Sequence, residues 1–226
     1  MTSLIMAAIG VAMLGLCTVA VRLRARVGGI AVVVAAILVG LAYDNVAVAI
    51  GRLIGYGDVL LAINVPRFWI HAIVTPLLII VAGVLVGRLG VTRVRDRNIA
   101  LAGWALVAML IAIGVVEEIV RARLVPEDAG DALRYVNAEA QGPPLPAIIT
   151  ILALIVLGVM AWRHAGFPWL FVGAIVMLIA AAAGSAVLWI GNLGELVLLA
   201  AVVATMAAVG GGVRLPLTSA TVGGAR

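Results

Sequence analysis

Residues 29–50 read GIAVVVAAILVGLAYDNVAVAI, an apolar run carrying a single charge, Asp44, and this stretch decides the fold. A helix needs about 20 predominantly apolar residues to cross the hydrocarbon core of a bilayer. The run supplies that length and is bracketed by Arg22, Arg24 and Arg26 on one side and Arg52 on the other. Its many β-branched residues are no obstacle, because in lipid each backbone amide must be bonded within its own segment. Working outward, six further stretches have the same character, at residues 4–21, 68–87, 99–120, 145–162, 169–190 and 196–213. The expected fold is therefore an all-α integral membrane protein, a single seven-helix transmembrane bundle filling residues 1–214.

Composition agrees. The chain has 226 residues, is 65% hydrophobic and 11% charged, and has a mean hydropathy of +1.29. Soluble domains run at about 45–50% apolar and about 25% charged. The first apolar run, Leu4 to Val21, is long enough to span and its basic cluster follows it, so it reads as a span and not as a cleavable signal peptide. All fifteen basic residues are arginine. Without lysine there is no Schiff-base chemistry, which excludes a retinal protein of the rhodopsin type despite the helix count. The Ala/Val/Gly/Arg-rich, lysine-free composition points to a high-GC bacterial genome, so the expected location is a bacterial cytoplasmic (inner) membrane, crossed many times. Cys17 is the only cysteine, so an intrachain disulfide and a thiolate cluster are both excluded.

The net charge of +5 does not mark a nucleic-acid binder, because the arginines are split among short loops with no basic face. Their split gives orientation instead. Ten arginines (22, 24, 26, 88, 93, 95, 97, 163, 214 and 226) fall on one side and five (52, 67, 121, 123 and 134) on the other, mixed with acids. Arginine-rich short loops stay in the cytoplasm, which puts the N-terminus outside and the C-terminus inside. Residues 121–144 then form an extracytoplasmic loop, and residues 215–226 a disordered cytoplasmic tail. Within the loop, Pro126 to Tyr135 has acids in front and Arg134 behind, the pattern of a short helix lying over the bundle mouth, and is equally compatible with a solvated connector. Gly51/Gly55, Gly83/Gly87 and the Ala180–Gly184 run read as small surfaces for close helix approach.

The oriented spans bring Asp44, Arg67, His71, Glu117, Glu118 and Glu195 to one outer level. Charge within hydrocarbon is expensive, so ionisable residues there are functional candidates. Asp44, His71, Glu117 and Glu118 are the candidate proton-transfer groups. Tyr43, Asn45, Arg67, Trp69, Arg121, Trp189 and Glu195 are the candidate substrate contacts. Trp69 and Trp189 also suit an interfacial aromatic belt, Arg67 could snorkel, and Glu195 could be an exposed acid in a first helical turn. Glu117 and Glu118 are about 100° apart on an α-helix, so one is expected to face inward and the other to pair with Arg121. No cofactor is expected; a divalent metal held by His71 and carboxylates is the weaker alternative, since the chain lacks the several histidines of an intramembrane zinc site and His164 lies at the opposite face.

A seven-helix chain of this size with acids such as Asp44, Glu117, Glu118 and Glu195 on its spans resembles the membrane-bound terpene cyclases of meroterpenoid and indole-terpenoid pathways. The resemblance implies acids on transmembrane helices that start and finish cation chemistry, with Asp44 as candidate acid and a glutamate beside it. Span two reads Leu41-Ala42-Tyr43-Asp44-Asn45 where that family's pattern carries a glutamate after tryptophan. The expected function is an intramembrane enzyme using acid/base chemistry on a lipid or isoprenoid in the outer half of the bilayer. A proton-coupled transporter or channel is one alternative. A non-catalytic subunit seated against a partner membrane protein or a second copy is the other.

Overall fold

The computed structural model describes residues 1–140, 144–184 and 186–211. The chain runs through α1 (Thr2–Val27), α2 (Ile30–Ala49), the short α3 (Gly51–Ile54), α4 (Asp58–Arg88), a 3-10 turn (Thr92–Arg95) and α5 (Arg97–Val115), which a π-turn (Val116–Val120) extends. A hairpin of β1 (Leu124–Ala129) and β2 (Ala132–Asn137) follows, then α6 (Leu145–Ala165), α7 (Trp169–Gly184) and α8 (Leu188–Gly211). The proposed cytoplasmic tail, Arg214, Arg226 and the end of the last apolar run lie outside the described residues.

Six helices, α1, α2, α4, α5 with its π-turn, α6 and α8, are long and apolar enough to cross a membrane. The sixth apolar run, residues 169–190, forms a shorter helix than its sequence suggests. Its helix, α7, has 16 residues, which at about 1.5 Å each reach ~24 Å against a core of ~30 Å. Gly184 packs against the backbone of Gly191, so the chain turns back on itself at this point. As a result α8 begins at Leu188, not at residue 196, and Glu195 sits two turns inside it. Likewise α4 begins at Asp58, not at residue 68, which places Arg67 well within a helix and buries it.

Residues 126–135 are neither helix nor connector. They belong to an antiparallel hairpin in which Leu124 pairs with Asn137 and Ala129 with Ala132. Gly130 has φ +70°, as the first central position of a type II′ turn requires. The charges that imitate a helix start are a cross-strand pair: Glu127 faces Arg134, with Nη2 to Oε2 at 2.5 Å. Val125, Tyr135 and Val136 add β-branched and aromatic character. The hairpin covers one end of the bundle. There Gly51 passes so close to the carbonyl of Leu133 that a Cβ would overlap it.

Burial follows helical periodicity. On α2 the buried residues Val34, Ile37, Leu38, Leu41, Asp44, Asn45 and Val48 recur at three- and four-residue steps and form one face. That face meets the apolar core, which includes Val81, Leu85, Leu154, Leu170, Val202 and Met206. Outward-facing large apolar side chains such as Leu4, Val11, Leu101, Val156 and Ile179 remain exposed, as a lipid-facing surface demands. Glycine supports close approach at positions other than some of those expected. A Cβ on Gly158 would stand 2.5 Å from the Phe171 backbone nitrogen, and Gly194 is pressed against Ala180, whereas Gly55 and Gly83 face open space. At the arginine end, Arg88 Nη1 donates to the Val27 carbonyl at 2.5 Å, and Asp96 caps α5 by accepting from Asn98 N at 2.8 Å.

The glycine geometry makes a test. Gly51→Ala forces a methyl group into the Leu133 carbonyl and is expected to cost about 1–3 kcal/mol and to undock the hairpin. Hydrogen exchange over residues 124–137 would read the undocking. Gly83→Ala, into open space within a helix, is expected instead to raise thermal stability slightly, by about 0.5–1 kcal/mol.

Candidate functional site

Three helix faces converge beneath the hairpin. On α4, Leu60, Asn64, Arg67, His71, Thr75 and Leu78 follow one another at three- and four-residue spacing and so share a face. On α8, Asn192, Glu195, Leu198 and Leu199 do the same, and α2 contributes Leu41 and Asp44. The meeting point is Asp44, which is 1% exposed. Arg67 Nε donates to Asp44 Oδ1 at 2.7 Å, and Asn192 Nδ2 donates to Asp44 Oδ2 at 3.3 Å. Arg67 Nη1 also donates to Asn64 Oδ1 at 2.6 Å. The same Asn64 oxygen accepts the backbone N–H of Tyr135 at 3.2 Å, so the hairpin is tied directly to the buried ion pair.

His71 lies between two carboxylates. Its Nε2 stands 3.4 Å from Asp44 Oδ1, and its Nδ1 stands 3.9 Å from Glu195 Oε1. The two acids differ in kind. Both oxygens of Asp44 are engaged, whereas Glu195 Oε2 is buried with no hydrogen-bond partner among the described residues. Asn45 faces away from this group and donates to its own helix, to the Leu41 carbonyl at 2.8 Å.

Beside the network opens a cavity of about 290 Å³. Arg67, His71, Glu117, Glu118, Glu195 and Arg134 line its polar end, and Phe68, Ala72, Leu78, Ile151, Met177 and Leu198 are among its apolar walls. Glu117 and Glu118 both reach it, contrary to the division expected of an α-helix. The π-turn explains this: Arg121 N bonds back to the Val116 carbonyl at 3.0 Å, and the wider turn sets adjacent side chains closer together than the α-helical step of about 100°. Arg121 is exposed and pairs with neither glutamate within 4.0 Å. Close approach completes the wall, since Gly114 rests against the backbone of Ala72.

The aromatic residues singled out in the sequence stand elsewhere. Tyr43 and Trp69 are 38% and 43% exposed on outward helix faces, and the Tyr43 hydroxyl donates to the Ile63 carbonyl. Trp189 packs with Met6, Val48 and Ala132 near the hairpin turn. Phe68 is the aromatic ring on the cavity wall. Asp44 itself does not line the cavity; it holds the residues that do. Sequence reasoning missed Asn64, because the third apolar run was begun at residue 68. The four-residue step from Leu60 to Asn64, continued by Arg67 and His71, was the available signal. Arg134 depends on the hairpin and had none. Among the described residues no three His, Cys, Asp or Glu side chains are placed to hold a metal ion.

Removing one partner of a buried ion pair strands the other. Arg67→Met is therefore expected to lower stability by about 3–5 kcal/mol, and Asp44→Leu combined with Arg67→Met to cost less than either change alone. Thermal unfolding of the three variants in lipid would check the cycle. No protein-family model, no curated protein and no solved structure matched this chain when it was compared with each.

Proposed function

We propose that this chain is a multi-pass membrane enzyme that performs acid/base chemistry on a lipid or isoprenoid molecule, with Glu195 exchanging the proton and His71 assisting it. The observation that carries this reading is the contrast between the two acids flanking His71. Asp44 is held by Arg67 and Asn192 at hydrogen-bond distance, so a change in its protonation would break fixed contacts. Glu195 borders the cavity and has an oxygen without a partner among the described residues, so it can gain or lose a proton without breaking a bond. Asp44 then acts as a positioning residue for the His71 ring, and Glu195 with His71 forms the reactive pair. The apolar walls suit a hydrocarbon chain, and the volume lies near the lower end of the usual range for small-molecule sites, about 300–1,000 Å³. A proton-initiated rearrangement of the terpene-cyclase kind would draw its proton from the pair of Glu195 and His71.

In this reading the hairpin end faces outward and the arginine end faces the cytoplasm of a bacterial cell. The helix α7 makes a seventh crossing, because it links the end of α6 near Arg163 to the start of α8 beneath the hairpin. A proton-conducting pathway has less in its favour: below Thr75 the interior passes into packed Val81, Leu85, Val202 and Met206, where among the described residues the buried Thr205 stands without a polar chain leading to the arginine end.

The test uses the purified protein in vesicles prepared from an isoprenoid-rich lipid extract in heavy water, read by mass spectrometry for a deuterated or rearranged product. Glu195→Gln is expected to slow product formation by about 100-fold or more, the usual worth of a general acid or base. Retention of full conversion by both Glu195→Gln and His71→Ala would defeat the proposal.

A further inference from the structure

We infer that the cavity binds an amphiphile with a protonated amine head, the ammonium seated between Glu117 and Glu118 and the hydrocarbon chain running past Glu195 and His71 down α4 towards Leu78. This deepens the preceding reading by naming the chemical class of the molecule bound. The two arginines that touch the cavity are already committed, Arg67 to Asp44 at 2.7 Å and Arg134 to Glu127 at 2.5 Å. Neither Glu117 nor Glu118 has an ion-pair partner within 4.0 Å among the described residues. Among the described residues that line the cavity, His71 is the one further group that can carry positive charge, and it is shared between Asp44 and Glu195. The polar end of the cavity therefore holds more carboxylate than cation.

Excess negative charge beside apolar walls is costly to maintain, and a bound cation offsets that cost. A phosphate or carboxylate head would meet the opposite situation, since the charge of each arginine there is already balanced by a carboxylate of the protein. Among the described residues no three His, Cys, Asp or Glu side chains are gathered to hold a metal ion. A spread of acids suits an ammonium, whose three N–H donors point in different directions and bond carboxylates strongly. The second half of the ligand follows from the walls. From His71 through Ala72 and Thr75 to Leu78 the cavity follows α4 for about 10 Å at 1.5 Å per residue, with Leu198 and Ile151 opposite.

The experiment measures binding to the full chain in nanodiscs of zwitterionic phosphatidylcholine, where the bilayer itself has no net charge to attract amines. The probes are dodecylamine, dodecanol, dodecanoic acid and butylamine. Dodecylamine is expected to bind at least tenfold more tightly than the other three, and Glu117→Gln/Glu118→Gln to remove its advantage over dodecanol. The single variants Glu117→Gln and Glu118→Gln, each expected to reduce that advantage, take over if the double variant does not fold. Equal binding of dodecanol or dodecanoic acid overturns the inference, as does an amine preference that survives the substitutions. Equal binding of butylamine overturns it as well, because the apolar walls would then contribute nothing. These readouts do not depend on turnover. An intact conversion sensitive to Glu195→Gln, without amine preference, would remove this inference and leave the enzyme reading in place.

Discussion

The buried pair of Asp44 and Arg67 is the constraint around which this end of the bundle is organised. A carboxylate that is 1% exposed among apolar helices needs both a counter-charge and donors for its remaining lone pairs. Arg67 supplies the first and, with Asn192, the second, which ties α2, α4 and α8 together at a single point. The requirement then propagates. The second arm of the guanidinium needs an acceptor and finds Asn64, whose oxygen also takes the Tyr135 amide. The position of the hairpin is thus set from beneath by an ion pair as well as from the side by the Gly51 contact.

That arrangement separates anchored charge from available charge. Asp44 and Arg67 satisfy each other, and Arg134 satisfies Glu127 across the hairpin. What remains at the cavity is His71 and three glutamates, groups able to exchange protons or to meet a cation. The hydrogen bonds from Arg67 and Asn192 to Asp44 lie beside a cavity at which Glu117 and Glu118 have no ion-pair partner among the described residues. Along α4 the cavity lining passes from the charged Arg67 and His71 to the mostly apolar stretch from Ala72 to Leu78.

Much of this was legible in the chain. Apolar run length identified the helices, and the scarcity of charge within them picked out Asp44, Arg67, His71, Glu117, Glu118 and Glu195. All but Asp44 line the cavity, and Asp44 lies directly beneath it. The boundaries were harder to read. Hydropathy stopped the third run at residue 68 because Asn64, Pro66 and Arg67 are polar or helix-breaking in isolation, yet α4 continues through them to Asp58. The missing signal was tertiary: Arg67 is comfortable there only because Asp44 and Asn64 receive its protons. The aromatic residues misled in the opposite direction. Tyr43 and Trp69 share the level of the site but not its side, since depth along a helix is a matter of counting whereas rotation is settled by packing.

The sequence by itself determined that apolar helices would form and that a few charges would be stranded at one depth, because a bilayer-length run and the cost of buried charge are properties of single segments. Only the tertiary structure decided which of those charges would neutralise each other. It also decided that residues 124–137 would pair as strands, and that a π-turn would bring both Glu117 and Glu118 to the cavity. The physical reason is that ion pairing, strand pairing and cavity shape depend on distances between segments, which no local run of residues specifies.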